Sequence, residues 1–294
     1  MPPATNTAMV SRLCALVCLV LLVLVAPVTG RAQLKGEERL AAINKWQKIN
    51  AFRPKTGQLR RRARLALHAP RLDRETATAV AVEFMRARGL RVGSKCFTRS
   101  EDPSFGATSI RKEHVRVQGD VVHLTFPSKG HRVTGHDARG QPIKVRNRYH
   151  VTINNRDLAR AVQLFLDQPG SGALLRIPKR GGGLRAGGRS EATPRAGAER
   201  PMSLRVLNER DTLEWVKPLG GKNHNWRHLY SDRLHRAMLH GMPRPTTSVE
   251  AWDNIKQAAD GVAERVGHAD RDTTIKHYLD PLRLEGYAAT LGRR

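Results

Sequence analysis

Cysteine is scarce in this chain: three residues in 294. Cys14 and Cys18 fall in an apolar N-terminal run and Cys96 stands alone in the body. Neither a disulfide framework nor a cysteine-built zinc site is available to the body. Acidic residues are in short supply too, 26 against 52 lysines and arginines, for a formal net charge of +26. No acidic cluster has Mg²⁺ spacing, and neither a Walker-type loop nor a Gly-x-Ser-x-Gly turn is present. Metal-dependent phosphoryl transfer and serine hydrolysis therefore lack their parts. Only Arg12 and Arg31 of the cations precede Ala32, so the positive excess belongs to the body. Charge of one sign on that scale opposes compaction, and a polyanionic partner, nucleic acid first, accounts for it.

Residues 1–31 are set apart. The run LCALVCLVLLVLVAPV, Leu13–Val28, follows Arg12 and has the character of a leader or short membrane anchor. That segment points to a membrane or an export route, whereas the cationic body points to a compartment that holds DNA: nucleus, nucleoid or virion. Beyond it the spacing of Leu40, Ile43, Trp46 and Ile49 predicts an amphipathic helix over Glu38–Phe52, and a basic run, LRRRARLALHAP, follows. Asp73 offers the N-cap of a helix that stops at Gly89. VRVQGDVVHLTF alternates about a Gly-Asp turn, the signature of a hairpin, and IKVRNRYHVTI supplies a third strand. Helical spacing returns at Leu158, Ala161, Val162 and Phe165, then over Trp226–Met238, and again from Trp252 to Val266. Residues 178–203, rich in Gly and Arg with few core-formers, read as a basic insertion. It divides a catalytic domain into parts 35–177 and 204–294. The fold class is mainly α with a small antiparallel three-stranded β-sheet.

The residues left to do chemistry are cationic and phenolic. Arg91 lies just past a helix end in GLRVGS, Lys129 sits at the expected hairpin tip in FPSKG, and His224 and Arg227 share a helix face in HNWRHLYS. His268 and Tyr278 follow in GHADRDTTIKHYLDP. A phosphodiester attacked without a metal builds negative charge on its non-bridging oxygens, which arginine forks and a histidine bind. A lysine whose pKa is lowered by neighbouring cations can protonate the leaving oxygen, and a tyrosine oxygen can be the nucleophile. Taken singly, each also suits an ordinary role: helix-end cation, solvated turn, backbone contact, cap or core aromatic. His224 and His228 lack a third ligand nearby, so no metal and no cofactor is assigned.

Together, the order Arg91, Lys129, His224-x-x-Arg227, His268, Tyr278 resembles the type IB DNA topoisomerase and tyrosine recombinase superfamily, over roughly Lys35–Pro281. RPKTGQLRRRARLAL, GLRVGS and SFGATSIRKEHVRVQGDVVHLTFPSKG are similar to bacterial and poxviral type IB topoisomerases, and NRDLARAVQLFLDQPGSGALL continues the likeness. HNWRHLYSDRL and VAERVGHADRDTTIKHYLDP resemble tyrosine recombinases equally; His224 stands where most of these topoisomerases have lysine and recombinases histidine. The resemblance implies the catalytic-domain fold of DNA breaking-rejoining enzymes, acting as a monomer on double-stranded DNA without ATP or metal. Tyr278 would be the nucleophile, Arg91 and Arg227 the phosphate clamps, His268 a further donor and Lys129 the general acid, with Lys144 as its rival. His224, Arg60, Arg61, Arg62 and Lys144 would contact DNA. The sequence departs from the family in three respects: no β-rich clamp is recognised before Lys35, the interval from His268 to Tyr278 is one residue longer, and 178–203 is inserted. A tyrosine recombinase and a DNA-binding protein without catalysis are the alternatives.

Overall fold

The computed structural model describes residues 36–93, 103–179, 204–268 and 270–289, with the backbone alone of 128–136 and 142–147. The apolar leader, Cys96 and most of the basic insertion lie outside the described residues. Among those described, no helix is long and apolar enough to cross a membrane.

Helix α1 (Gly36–Phe52) buries Trp46, Ile49 and Phe52 on one face, as the spacing predicts. The basic run that follows is itself a helix, α2 (Thr56–His68), with Leu59, Ala63 and Leu67 buried at four-residue intervals. Its arginines fill the remaining face, and this density of charge hides the apolar stripe from a count of periodic residues. Helix α3 (Arg74–Arg88) begins at Asp73, whose side chain accepts from the Thr76 amide, and ends at Gly89 with φ +63°. These are the stop and start signals expected of those residues.

The sheet has order β1 (Val115–Gln118), β2 (Val121–His136), β3 (Pro142–Asn154), all antiparallel. Gly119 and Asp120 make the first turn as predicted, with Gln118 opposite Val121. The second turn corrects an expectation. Lys129 is not at a hairpin tip: β2 runs on past it to His136, and the reversal comes at 137–141, where Asp137 caps Arg139 and Gln141. Asp137 binds its own backbone two and four residues on, a stronger turn signal than Pro-Ser-Lys-Gly supplies. Lys129 instead falls in the register shift between Pro127 and His131, and Lys144 pairs with Val133 on the opposite strand.

Helix α4 (Arg156–Leu166) covers the sheet, capped by Asn155. A two-stranded ribbon that the spacing did not reveal, β4 (Arg176–Pro178) with β5 (Leu204–Val206), pins the two ends of the insertion together. Then come α5 (Glu209–Val216), α6 (Asn225–His240), α7 (Ser248–Val266), α8 (Arg271–Tyr278) and α9 (Pro281–Ala289). The larger core gathers α2, α3, α4, α5 and the sheet; a smaller one joins α7, α8 and α9. Helix α6 belongs to both, giving Trp226 to the first and Leu239 to the second.

The loop that carries Arg91 is held by its neighbour. The Ala107 amide donates to Arg91 O at 2.8 Å and the Thr108 amide to Val92 O at 2.7 Å. Gly106 makes this approach feasible, since a Cβ there would lie 2.5 Å from both Arg91 O and Gly93 N. Both contacts are backbone and cannot swing aside, so Gly106→Ala should destabilise the protein by about 1–3 kcal/mol. Urea unfolding measures it, and a loss below about 0.5 kcal/mol would mean that the two loops separate freely.

Candidate active site

Arg227 is the deepest group of the site, 1% exposed on the first turns of α6. Its Nη1 donates to Gly89 O at 2.9 Å and to the Tyr149 hydroxyl at 3.1 Å, and its Nη2 to Val266 O at 2.6 Å. Tyr149 in turn donates to Val266 O. A guanidinium has five N–H donors. Three are used here; the Nε–H, buried without a partner, and one Nη2–H are left. These lie on the same edge of the fork, the edge that takes two oxygens of a phosphate or carboxylate. No carboxylate meets it: every acceptor found is neutral. Burying a cation without a counter-charge is costly, which marks the place for an arriving anion.

Arg91 lies beside it, half-buried, with a pKa lowered first by burial and then by Arg227, and drawn back up by Tyr278 and Tyr149. Arg91, Arg227 and His224 share the wall of an open cavity of about 570 Å³.

Tyr278 ends α8 and is 8% exposed. His268 stacks on it, with ring centroids 3.8 Å apart and planes 24° from parallel. His228 lies at 4.9 Å and His224 at 5.6 Å, centroid to centroid, and the Arg227 guanidinium is 5.5 Å from the ring centre. The tyrosine hydroxyl makes no hydrogen bond among the described residues and is not sealed from solvent.

The tautomer of His268 follows from its partners. Thr274 Oγ1 donates to Asp270 O at 3.2 Å and so receives the Nδ1–H of His268 at 2.8 Å. That leaves His268 Nε2 buried and without a partner. Burial, then Arg227, Arg91 and His224, push the pKa of His268 down to about 2, so the ring is neutral at ordinary pH. His228 is likewise lowered to about 2, by burial and then by His224, Lys45 and Arg227. His224, whose ring is partly open to water, is lowered to about 4 by its crowded setting, then by Arg227, Arg91 and Lys45. Among the described residues no group of three His, Cys, Asp or Glu side chains is placed to hold a metal ion.

The structure thus brings together Arg91, Arg227, His224, His268 and Tyr278, which lie up to 187 positions apart in the chain. It leaves three others elsewhere. Arg60 and Arg61 line a different cavity, and Arg62 is spoken for, forked onto Glu75 at 2.7 and 2.9 Å and lying 4.1 Å over the Trp215 ring. The side chains of Lys129 and Lys144 fall outside the described residues. The spacing missed Lys45: from α1 its Nζ donates to His277 O at 2.6 Å, next to the tyrosine. Two more tethers lie along the same helix, Asn50 to Asp280 at 3.0 Å and a two-point Arg39–Glu285 pair. Nothing local in the sequence signals a contact across 232 residues.

Residues 31–142 match a family model described as eukaryotic DNA topoisomerase I, catalytic core. The match supports a relation to the type IB topoisomerases. It spans Arg91 and Lys129 and stops short of Arg227, His268 and Tyr278. No curated protein matches the chain.

Neutral histidines with lowered pKa bind fewer protons folded than unfolded, so each stabilises the fold above its unfolded pKa and ceases to as pH falls toward its folded one. With His224 and His235 lowered to about 4 and His228 and His268 to about 2, stability should decline steadily from about pH 6.5 down to pH 4. Thermal melting across that range checks it; a flat profile would show that these rings are charged in the folded protein. Inorganic phosphate should raise the His268 pKa, read from its ring resonances, since a nearby anion favours the imidazolium.

Proposed function

We propose that the chain is a type IB DNA topoisomerase of the bacterial and poxviral kind, relaxing supercoils through a transient 3′-phosphotyrosyl link at Tyr278. The observation that carries this is the pairing of a buried Arg227, with an unused two-donor edge and no counter-charge, with a tyrosine 5.5 Å away. The family match over 31–142 supports the same conclusion from the other half of the chain.

In this proposal a scissile phosphate enters the cavity beside Arg91 and Arg227. Its non-bridging oxygens take the free Nε–H and Nη2–H of Arg227 and the donors of Arg91. The phosphate's charge also relieves the repulsion that keeps His268 neutral, so Nε2 gains a proton and becomes a further donor. Tyr278 Oη gives up its proton, helped by the cations around it, and attacks phosphorus. The bond from phosphorus to the 5′-oxygen breaks, and that oxygen takes a proton from Lys129. The free end swivels about the intact strand. The 5′-hydroxyl then attacks the phosphotyrosine, reseals the strand and frees Tyr278. One phosphodiester is exchanged for another, so no ATP is consumed.

A tyrosine recombinase would use the same chemistry, and His224 at the start of α6 suits it. The position of α9 favours the topoisomerase: it folds back on its own chain, against α7 and against α1 through Glu285. A recombinase uses its C-terminal segment for exchange between subunits.

Relaxation of supercoiled plasmid without Mg²⁺ or ATP tests the proposal, and Tyr278→Phe should abolish both relaxation and the covalent adduct with nicked DNA. An adduct that survives in Tyr278→Phe sinks the assignment. Arg227→Ala and Arg91→Ala should each lower single-turnover cleavage on the order of 10²–10³ while duplex affinity falls far less. A 5′-bridging phosphorothiolate, whose leaving group needs no proton, should rescue Lys129→Ala but not Arg227→Ala; rescue of Lys144→Ala instead would move the general acid across the ladder. Lys45→Met should slow cleavage about 10- to 100-fold by loosening the C-terminal end of α8. Lys45→Arg, which can still reach His277 O, should recover most of the rate, and loss of affinity in place of rate would make Lys45 a DNA contact.

A further inference from the structure

A second cationic feature lies across α6 from the tyrosine. A cavity of about 360 Å³ is walled by Arg53, Arg60, Arg86, Arg233 and Arg236, with Trp226 and Tyr230 at its base. It shares Arg60 and Arg86 with a neighbouring cavity of about 340 Å³, to which Arg61 and Arg64 belong. The two make one trough lined by seven arginines and no lysine.

Some of this charge is spent. Asp232, fully buried, takes Arg53, Arg236 and Arg283, and Glu83 takes Arg86. Arg60, Arg61, Arg64 and Arg233 have no hydrogen-bonding or ion-pair partner among the described residues. Arg233 is held 5.4 Å over the Tyr230 ring, and Arg86, Arg60 and Arg88 crowd it with like charge. Two buried donors of lining residues, Trp226 Nε1 and Arg53 Nε, also lack partners.

The trough is separate from the tyrosine site. At about 100° per residue along α6, Trp226, Leu229, Tyr230 and Arg236 project within about 60° of Arg233. His224, Arg227 and His228 project about 120° or more away from it. No residue lines both this trough and the cavity beside Arg91.

We propose that this trough is a second binding site for nucleic acid, gripping the phosphate backbone of a duplex segment other than the one at Tyr278. The cations are strung along two joined cavities rather than gathered at one point, which suits a row of phosphates better than a single anion. Arginine forks bind phosphate oxygens in pairs. The aromatic rings at the base are buried and offer no platform for unstacked bases, so the partner is a duplex held without regard to sequence. The site stands whether or not Tyr278 cleaves.

Sedimentation of the full chain with a short fluorescent duplex at low salt should show two duplexes per protein for the wild type. Arg64→Glu with Arg233→Glu, both outside the tyrosine site, should leave one duplex per protein and unchanged cleavage of a nicked oligonucleotide. If that variant melts early, Arg64→Gln with Arg233→Gln should weaken the second duplex by at least about tenfold, with the steeper salt dependence of the second binding step reduced. One duplex per wild-type protein, or a variant that still binds two, overturns the proposal. Long-chain inorganic polyphosphate serves as the other arm: if it binds at the trough and duplex does not, the site is for a free polyphosphate and the proposal falls. Failure of Tyr278→Phe to lose its adduct would leave the stoichiometry untouched.

Discussion

One guanidinium holds the molecule's two halves in register. Arg227 reaches from α6 to the carbonyl that ends α3, to the hydroxyl of a β3 tyrosine and to the carbonyl that ends α7. Those carbonyls are the orphan acceptors that every helix leaves at its C-terminus, where the dipole is negative. A cation between two such ends is well placed electrostatically even without a carboxylate. Because it is met by partial charges alone, its full charge remains available to an incoming ligand. The same side chain therefore fixes the framework and presents a clamp, and substitutions there act on both.

The tyrosine sits under a related constraint. Around it are three histidines kept neutral by burial and by arginines, so an anion changes the protonation of the site on arrival. Its helix is anchored at a distance by α1 and, through Arg283 on Asp232, by α6. The nucleophile proposed here is carried on a short helix whose position is set by residues more than two hundred places earlier in the chain.

Much of this was legible in the sequence wherever the determinant is local. Asp73 and Gly89 bracket a helix because capping acts within one turn, and Gly119-Asp120 closes a hairpin because the turn type needs nothing distant. Arg91 just beyond a helix end, Arg227 on α6 and His268 before α8 all lie where the pattern put them. Determinants that are local but disguised were misjudged. Helix α2 was read as a basic run because its arginines outnumber the three apolar residues that bury it. Lys129 was put at a tip because Pro-Ser-Lys-Gly resembles a turn, whereas Asp137 caps the reversal further on. Long-range determinants left no trace: Lys45 at His277 O, Tyr149 beneath Arg227, and the split of the arginines of α2 between a trough and a pair with Glu75.

The ribbon of β4 and β5 has a consequence for how the chain can vary. Pro178 stands opposite Leu204, so the ends of the intervening segment are already brought together by paired backbone and by Ile177, which is buried in the main core. Changing the number of residues between them alters only the entropy of closing a loop, about 0.6 kcal/mol for each doubling in length. Length there is nearly neutral to the fold, and the ribbon works as a socket into which segments of different size and composition fit. A species that lost or doubled the Gly-Arg stretch would keep the same core, the same trough and the same tyrosine.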